Sequence, residues 1–139
     1  MRYPKPSTTS ERSVRNQAGC IPVRGERPAL EVLLVTSRYT GEWIAPKGTI
    51  EAGETPEEAA AREAEEEAGV RGTIVRRLGR FSYPRGLETG AVEAFELAVN
   101  EELSEWPERF VRKRRWFRLA DALVEVRRPE VLAMLRCLG

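Results

Sequence analysis

The stretch that decides the fold is GTIEAGETPEEAAAREAEEEAGV, residues 48–70. Thr55 and Glu58 have the spacing of a capping box, and Pro56 lies between them at the first helical position. The following residues are almost all Ala, Glu and Arg, which are strong helix formers, and Gly69 is a typical stop signal. The sequence therefore predicts a helix that begins at Pro56 and ends before Gly69.

Several glutamates of this helix share one face. At about 100° per residue, Glu63, Glu66 and Glu67 fall within an arc of roughly 100°, whereas Glu65 points to the other side. Like charges at these spacings destabilise a helix by roughly a few tenths of a kcal/mol per pair, so the cluster needs open solvent or a cation. The residues alone leave both a solvated acidic face and a cation-binding face open.

Composition narrows the function classes. The 139 residues include 23 Lys plus Arg, 22 Asp plus Glu, two Cys and no His. The lack of His excludes Ser-His and Cys-His dyads and His-ligated zinc or copper sites. Cys20 and Cys137 are too few for a four-Cys zinc site, and their wide separation favours reduced thiols. We expect both to act as small core residues.

The chain is predicted to form one domain preceded by an arm. Residues 1–13 are polar and contain two prolines, which indicates a flexible N-terminal arm. Residues 14–139 are expected to form the domain, which is large enough for a core without disulfides or a structural metal. The first ten residues lack the apolar core of a secretory signal, and no apolar run reaches membrane-spanning length. A cytoplasmic location is therefore expected.

Charge is segregated along the chain. Residues 51–67 contain eight Glu and one Arg, and residues 109–118 contain six basic residues and no acid. An acidic and a basic block in one small domain could together bind a metal ion and a polyanion. Two solvated faces of opposite sign are the alternative interpretation.

Apolar runs and turn residues predict the other elements. Strands are expected at residues 18–23, 31–36, 74–83, 90–99 and 111–119, with 74–83 and 90–99 forming a hairpin. Residues 43–44 read as a short buried piece that leads into a Pro and Gly turn. Helices are expected at residues 119–126 and 129–138, and the second has an apolar stripe made of Val131, Leu132, Leu135 and Leu138.

Residues 48–70 also match a family motif at every fixed position. Gly48 is followed after five residues by Glu54, and after seven more by Arg62-Glu63, then by Glu66-Glu67, Gly69 and Val70. By this pattern the chain resembles the Nudix hydrolases. The resemblance implies an α+β fold, an α/β/α sandwich around a mixed β-sheet. It also implies a divalent-metal pyrophosphohydrolase that acts on a nucleoside diphosphate linked to another group.

Motifs outside this box resemble one branch of the family. WIAPKG at residues 43–48, EEAGVRGT at 66–73 and RRWF at 114–117 look like diphosphoinositol polyphosphate phosphohydrolases and diadenosine polyphosphate hydrolases. Two departures weaken the inositol assignment. The loop PRGLETG at residues 84–90 has one Arg and one Glu where the inositol-specific relatives are strongly basic, and Gln17 stands where they carry Arg.

The resemblance assigns roles to residues of this chain. Glu66 would be the general base, and Arg62 would be an ion-pair partner that orients a neighbouring glutamate. Mg²⁺, or Mn²⁺ in its place, would be held by Glu63, Glu66, Glu67 and the backbone at Gly48, an oxygen-rich set that suits a hard cation. The expected contacts of the substrate phosphates are Arg15, Arg38, Lys47 and Arg112.

Three function classes follow from these observations. The first is a Mg²⁺-dependent pyrophosphohydrolase that cleaves a phosphoanhydride bond in dinucleoside polyphosphates or diphosphoinositol polyphosphates. The second is a hydrolase that sanitises damaged nucleoside triphosphates, and the third is a non-catalytic binding module. The intact Glu set argues against the third, and the basic segment at residues 109–118 argues for the first.

The same observations give the expected partners. We expect a small-molecule polyphosphate substrate, no nucleic-acid or membrane partner, and a monomer or homodimer. The basic run also permits nucleic-acid binding, which a salt-independent association with RNA or DNA would exclude.

Overall fold

The computed structural model describes the backbone of residues 14–139 and the side chains of residues 16–139. The predicted arm, residues 1–13, lies outside the described residues. Helix α1 (Pro56–Glu63) continues into a π-helical turn, Ala64–Ala68. The other elements of the described part are β1 (Val14–Arg24), β2 (Glu31–Thr36), β3 (Trp43–Ile44), β4 (Lys47–Thr49), β5 (Val70–Arg85), β6 (Glu88–Glu102), β7 (Arg114–Arg118), α2 (Leu119–Glu125) and α3 (Pro129–Arg136).

The strands form one mixed sheet. Its order is β3-β2-β1-β6-β5, with β4 paired to β1 and β7 paired to β2. Strand β1 runs parallel to β6 and antiparallel to β2 and β4. The predicted hairpin is confirmed as β5 and β6, which pair from Val70 opposite Glu102 to Arg85 opposite Glu88. It is longer than predicted because cross-strand ion pairs support its polar residues, for example Arg77 with Glu93 at 2.9 Å.

Helices cover both faces of this sheet. On one face, α1 and the π turn bury a row of alanines against Cys20, Leu33 and Val35 of β1 and β2. On the other face, α2 and α3 bury Ala122, Val126, Val131, Met134 and Leu135 against Val32 and Leu34. The small alanine side chains let the α1 backbone lie close to the sheet. The α/β/α sandwich predicted from the sequence is confirmed.

Helix α1 begins where the capping box places it. The Glu58 amide donates to the Thr55 hydroxyl at 3.1 Å, and the Glu58 carboxylate accepts from the Thr55 amide at 2.9 Å. Pro56 occupies the first turn. Gly69 follows the π turn with a left-handed φ of 66°. Both predicted ends are confirmed, and the change to π-helical bonding in the last turn is new.

Three expectations need correction. Cys20 is buried, but Cys137 is exposed, because it follows the last turn of α3. The predicted turn after residue 44 contains the short strand β4, which pairs with β1. The strand predicted at residues 111–119 starts only at Arg114, because the Arg112 amide donates to the Glu108 carbonyl in a preceding turn. Among the described residues, no helix is long and apolar enough to cross a membrane.

Candidate active site

Arg62 is the centre of an ion-pair network on helix α1. Its Nε and Nη2 atoms bind Glu54 Oε2 and Oε1 at 2.7 and 2.9 Å, a two-pronged arrangement that fixes both planar groups. This pairing lowers the pKa of Glu54 to about 2. The Nη1 atom donates to Glu63 Oε2 at 2.8 Å and lies 3.5 Å from Glu66 Oε2. One guanidinium therefore orients three carboxylates.

Glu63 and Glu67 form a buried carboxylate pair beside this network. They are only 8% and 6% exposed. Burial raises the pKa of both groups, that of Glu67 to about 8. Two groups partly offset the cost of burying the Glu67 charge. The Glu67 carboxylate accepts a hydrogen bond from the Lys47 amide at 3.2 Å and lies 3.5 Å from Arg112 Nη2. A positive charge placed beside such buried carboxylates stabilises their ionised forms.

Strand β4 approaches this pair at Gly48. A side chain at Gly48 would overlap the Glu63 carboxylate. Glycine is therefore required for this close approach, which brings backbone of β4 and the buried carboxylates together. The carboxylates of Glu63 and Glu67 and the carbonyl groups of β4 offer oxygen ligands, which fit a hard divalent cation such as Mg²⁺.

The predicted metal ligands are brought together only in part. Within residues 16–139, no three carboxylate or thiol side chains form a group arranged to hold an ion. Glu66 is more exposed than the Glu63 and Glu67 pair and lies on the Arg62 side, because like charges repel and the guanidinium attracts it. Glu65 is on the opposite side of the helix, where its carboxylate pairs with Arg71 Nη2 at 3.0 Å.

A cationic cleft of about 360 Å³ is lined by Lys47 and Arg112, both of which contact Glu67. We define it by its five basic side chains, Arg38, Lys47, Arg85, Arg112 and Arg128. Arg128 is paired with Glu42 at 2.9 Å. Arg38, Lys47 and Arg85 form no salt bridge with any carboxylate of residues 16–139. Within the described residues, these three cations thus have no countercharge and can bind an anionic ligand.

The predicted phosphate contacts have different surroundings. Arg38 and Lys47 line the cationic cleft, and burial lowers the pKa of Lys47. Arg112 also lines it, but its Nε donates to Glu108 at 2.6 Å and its Nη1 to the Thr36 carbonyl at 3.0 Å. Arg112 is thus engaged within the protein as well as with Glu67. The Arg15 side chain lies outside the described residues.

The structure adds residues that the sequence analysis did not find. Arg85 ends β5 at the hairpin loop and Arg128 precedes Pro129 at the start of α3, and neither belongs to a local motif. Tyr39 is 90% exposed at the cleft, with Arg38 Cζ 6.0 Å from its ring centroid. In the sequence, the signals for Arg85 and Arg128 are the basic side chains in the hairpin loop and before Pro129. They come from separate elements, so no periodic pattern connects them.

Tyr83 and Gln17 form a further wall of the cationic cleft. The Tyr83 hydroxyl donates to Gln17 Oε1. The Nζ atom of Lys47 lies 5.0 Å from the centroid of the Tyr83 ring. Position 17 is thus a neutral side chain bonded to a phenol.

Comparison with known proteins assigns the family. The sequence model of the NUDIX domain matches residues 14–135. "Diphosphoinositol polyphosphate phosphohydrolase 3-alpha" of Mus musculus is 39% identical over 111 residues, which cover 78% of this chain and 67% of that protein. "Nudix hydrolase 16, mitochondrial" of Arabidopsis thaliana is 38% identical over 132 residues, with coverage of 81% and 72%.

A solved structure supports the same assignment. The Ap4A hydrolase of C. elegans superposes with a TM-score of 0.74 at 25% identity. The match covers 90% of this chain and 96% of that one. The structural similarity therefore extends over most of the chain.

Proposed function

The chain belongs to the Nudix family and is a Nudix hydrolase, and we propose that it cleaves a phosphoanhydride bond in dinucleoside polyphosphates. Diphosphoinositol polyphosphates are the second candidate, which the names of the sequence relatives favour. One observation carries the proposal. The cationic cleft has three basic side chains that no carboxylate of residues 16–139 engages, and two of its lining residues, Lys47 and Arg112, contact Glu67 of the buried pair.

A divalent metal is the cofactor that Nudix hydrolases generally use, and we propose Mg²⁺, with Mn²⁺ able to replace it. Glu63, Glu67, Glu66 and the backbone at Gly48 would hold it. When bound, it neutralises phosphate oxygens and polarises the attacking water. The raised pKa values of Glu63 and Glu67 support this assignment, because burial penalises their charged forms until positive charge is added.

Glu66 is the proposed general base. It is the most exposed of the three carboxylates on this side of α1, so it can take a proton from water and return it to solvent. The chain contains no His that could take this role. Arg62 contacts Glu63 and Glu66 and is proposed to orient them without touching the substrate.

The cations support a long polyphosphate as the substrate. A phosphate chain that leaves the carboxylates through the cationic cleft passes Lys47, Arg38 and Arg85, and each charge-assisted contact contributes roughly 1.5–3 kcal/mol when well formed. A nucleoside triphosphate has fewer phosphates to use these contacts. The exposed Tyr39 ring favours a dinucleoside over an inositol, because a nucleobase can stack on it.

Turnover across substrate classes tests the proposal. We expect the specificity constant kcat/KM to be higher for diadenosine penta- and tetraphosphate than for ADP-ribose or nucleoside triphosphates. Arg38→Ala should lower kcat/KM most for the longest substrates, since it removes an uncommitted cation. Arg112→Ala should lower it at every length, because Glu67 and Glu108 then lose their partner. A parent enzyme that prefers ADP-ribose contradicts the proposal.

A third variant separates the two substrate classes. Tyr39→Ala should reduce kcat/KM for diadenosine pentaphosphate by a few-fold and leave that for a diphosphoinositol unchanged, since only the first carries a base that can stack. Equal effects on both would favour the inositol substrates.

The cytoplasmic location and the monomeric or homodimeric state remain predictions.

A further inference from the structure

Helix α1 changes its bonding pattern where Glu66 and Glu67 lie. Ala64–Ala68 form a π-helical turn, and the Gly69 amide donates to the Ala64 and Glu65 carbonyls. Such turns are rare and occur mostly at functional sites. Because Glu66 and Glu67 lie within this turn, whatever holds the turn also sets the direction of the two carboxylates.

The segment between β6 and β7, together with the first residue of β7, binds the end of this turn. Residues 103–114 donate to four successive carbonyl groups, those of Glu66, Glu67, Ala68 and Gly69. Trp106 Nε1 donates to Glu67 O at 3.2 Å, and the Glu108 amide donates to Glu66 O at 3.1 Å. The last carbonyls of a helix have no partner within it, so these bonds attach the turn to its neighbour.

Arg114 completes this attachment. Its Nη1 donates to Ala68 O at 3.0 Å and to Gly69 O at 3.1 Å, and its Nη2 donates to Leu103 O at 2.7 Å. The guanidinium stacks on the Trp106 ring, with Cζ 3.9 Å from the ring centroid. The two side chains therefore form one unit that bonds three consecutive carbonyls of the helix end.

This unit packs directly against the helix backbone. A side chain at Gly69 would lie 2.6 Å from Trp106 Cδ2 and 2.7 Å from Arg114 Nη1. The helix end and the Trp106–Arg114 stack thus fit together without spare space. Neither side chain lines the cationic cleft.

We propose that Trp106 and Arg114 are positioning residues for hydrolysis: they hold the π turn and thereby direct Glu66 and Glu67. This inference rests on the proposed function. It gives part of the basic segment at residues 109–118 a role other than phosphate binding, since Arg114 faces helix carbonyls.

Trp116 provides a matched control within the same chain. Its ring also carries a stacked arginine, with Arg24 Cζ 4.1 Å from the centroid. Its Nε1 donates at 3.1 Å, but to the Glu102 carboxylate at the end of β6 and not to helix α1. Removing either indole N–H therefore deletes a similar bond, and only one of the two bonds reaches the π turn.

The test compares Trp106→Phe with Trp116→Phe, each of which keeps an aromatic ring and removes the N–H. Mn²⁺ affinity is measured by titration calorimetry, and kcat and KM are measured on diadenosine pentaphosphate. We expect Trp106→Phe to lower both Mn²⁺ affinity and kcat about tenfold, the scale of lost support around metal ligands, with KM within about twofold. Trp116→Phe should leave all three within about twofold.

The outcomes separate this inference from the proposed function. Equal Mn²⁺ affinity and kcat in the two Trp variants would overturn the inference. If the parent enzyme hydrolyses no polyphosphate, the proposed function fails, and the Mn²⁺ affinities alone decide the inference. If Trp106→Phe does not fold, Arg114→Lys replaces it, because Lys keeps the charge but cannot bond two carbonyls and stack in the same way. The same tenfold loss is expected.

Discussion

Two arginine–glutamate networks lie on opposite sides of the same helical segment. Arg62 binds Glu54 through two atoms at 2.7 and 2.9 Å, and Arg71 binds Glu65 through two atoms at 3.1 and 3.0 Å. The side chains of the Arg62 pair are 24% and 19% exposed, whereas those of the Arg71 pair are 52% and 40% exposed. The two pairs have similar bond lengths, but the Arg62 pair is less exposed to solvent than the Arg71 pair.

The difference lies in what each arginine also touches. Arg62 extends from Glu54 to Glu63 and Glu66, so it links a loop to the carboxylates beside the cationic cleft. Arg71 links Glu65 to Glu101 at the surface, and exposed pairs of this kind contribute little to stability. We therefore expect the Arg62–Glu54 pair to affect catalysis and the Arg71–Glu65 pair to have little effect on it.

The largest effect is expected from the glutamates themselves. Glu66→Gln should lower kcat at least about a hundredfold with the fold intact, because it removes the proposed base. Glu65→Gln, on the Arg71 side, should change kcat by no more than a few-fold. Rates measured at saturating substrate and Mg²⁺, with circular dichroism to check folding, decide this. Equal losses in the two variants would show that the two sides do not differ in function.

The arginines provide a second, smaller contrast. Arg62→Lys should lower kcat about tenfold, because a lysine keeps the charge but cannot bind Glu54 in two places while holding Glu63. Arg71→Lys should leave kcat unchanged within about twofold. Both variants are measured on the same substrate together with their thermal midpoints. A kcat in Arg62→Lys equal to that of the parent would remove the positioning role of Arg62.

Local signals explain what the sequence predicts correctly. The start of α1 depends on Thr55, Pro56 and Glu58, which interact within one turn and so leave a pattern that can be read directly. The hairpin is likewise marked by two apolar runs with turn residues between them, and α3 is marked by an apolar stripe. The hairpin strands extend beyond their predicted ends because tertiary pairing, for example of Arg77 with Glu93, lengthens them.

The site depends more on contacts between distant segments. A regular α-helix turns about 100° per residue, and this geometry does not predict a π turn to which Trp106 and Arg114 hydrogen-bond. Arg114 belongs to a basic run that resembles a polyanion-binding segment, yet it turns inward to backbone carbonyls. Arg128 reaches the cationic cleft only through the packing of α3 on the sheet. No spacing pattern in the sequence predicts these contacts between distant segments.

The smallest expected effect concerns acid stability and sharpens the comparison of the two networks. Arg62 lowers the pKa of Glu54 from 4.5 to about 2, and Arg71 also lowers the pKa of Glu65. A carboxyl whose pKa is lowered in the folded state stabilises the fold above its unfolded pKa, and this contribution disappears as the pH falls through the folded value. For Glu54 the loss should therefore fall between about pH 4.5 and 2.

Glu54→Gln should accordingly flatten the dependence of the thermal midpoint on pH in this range, because the variant has no charge to lose there. Glu65→Gln should flatten it less, since its pair is more exposed to screening by solvent and salt. Thermal melts of the parent and both variants from pH 5 to pH 2 at fixed ionic strength measure this. A larger flattening in Glu65→Gln would reverse the order of the two networks, because the pair with the greater solvent exposure would then be the more strongly coupled one.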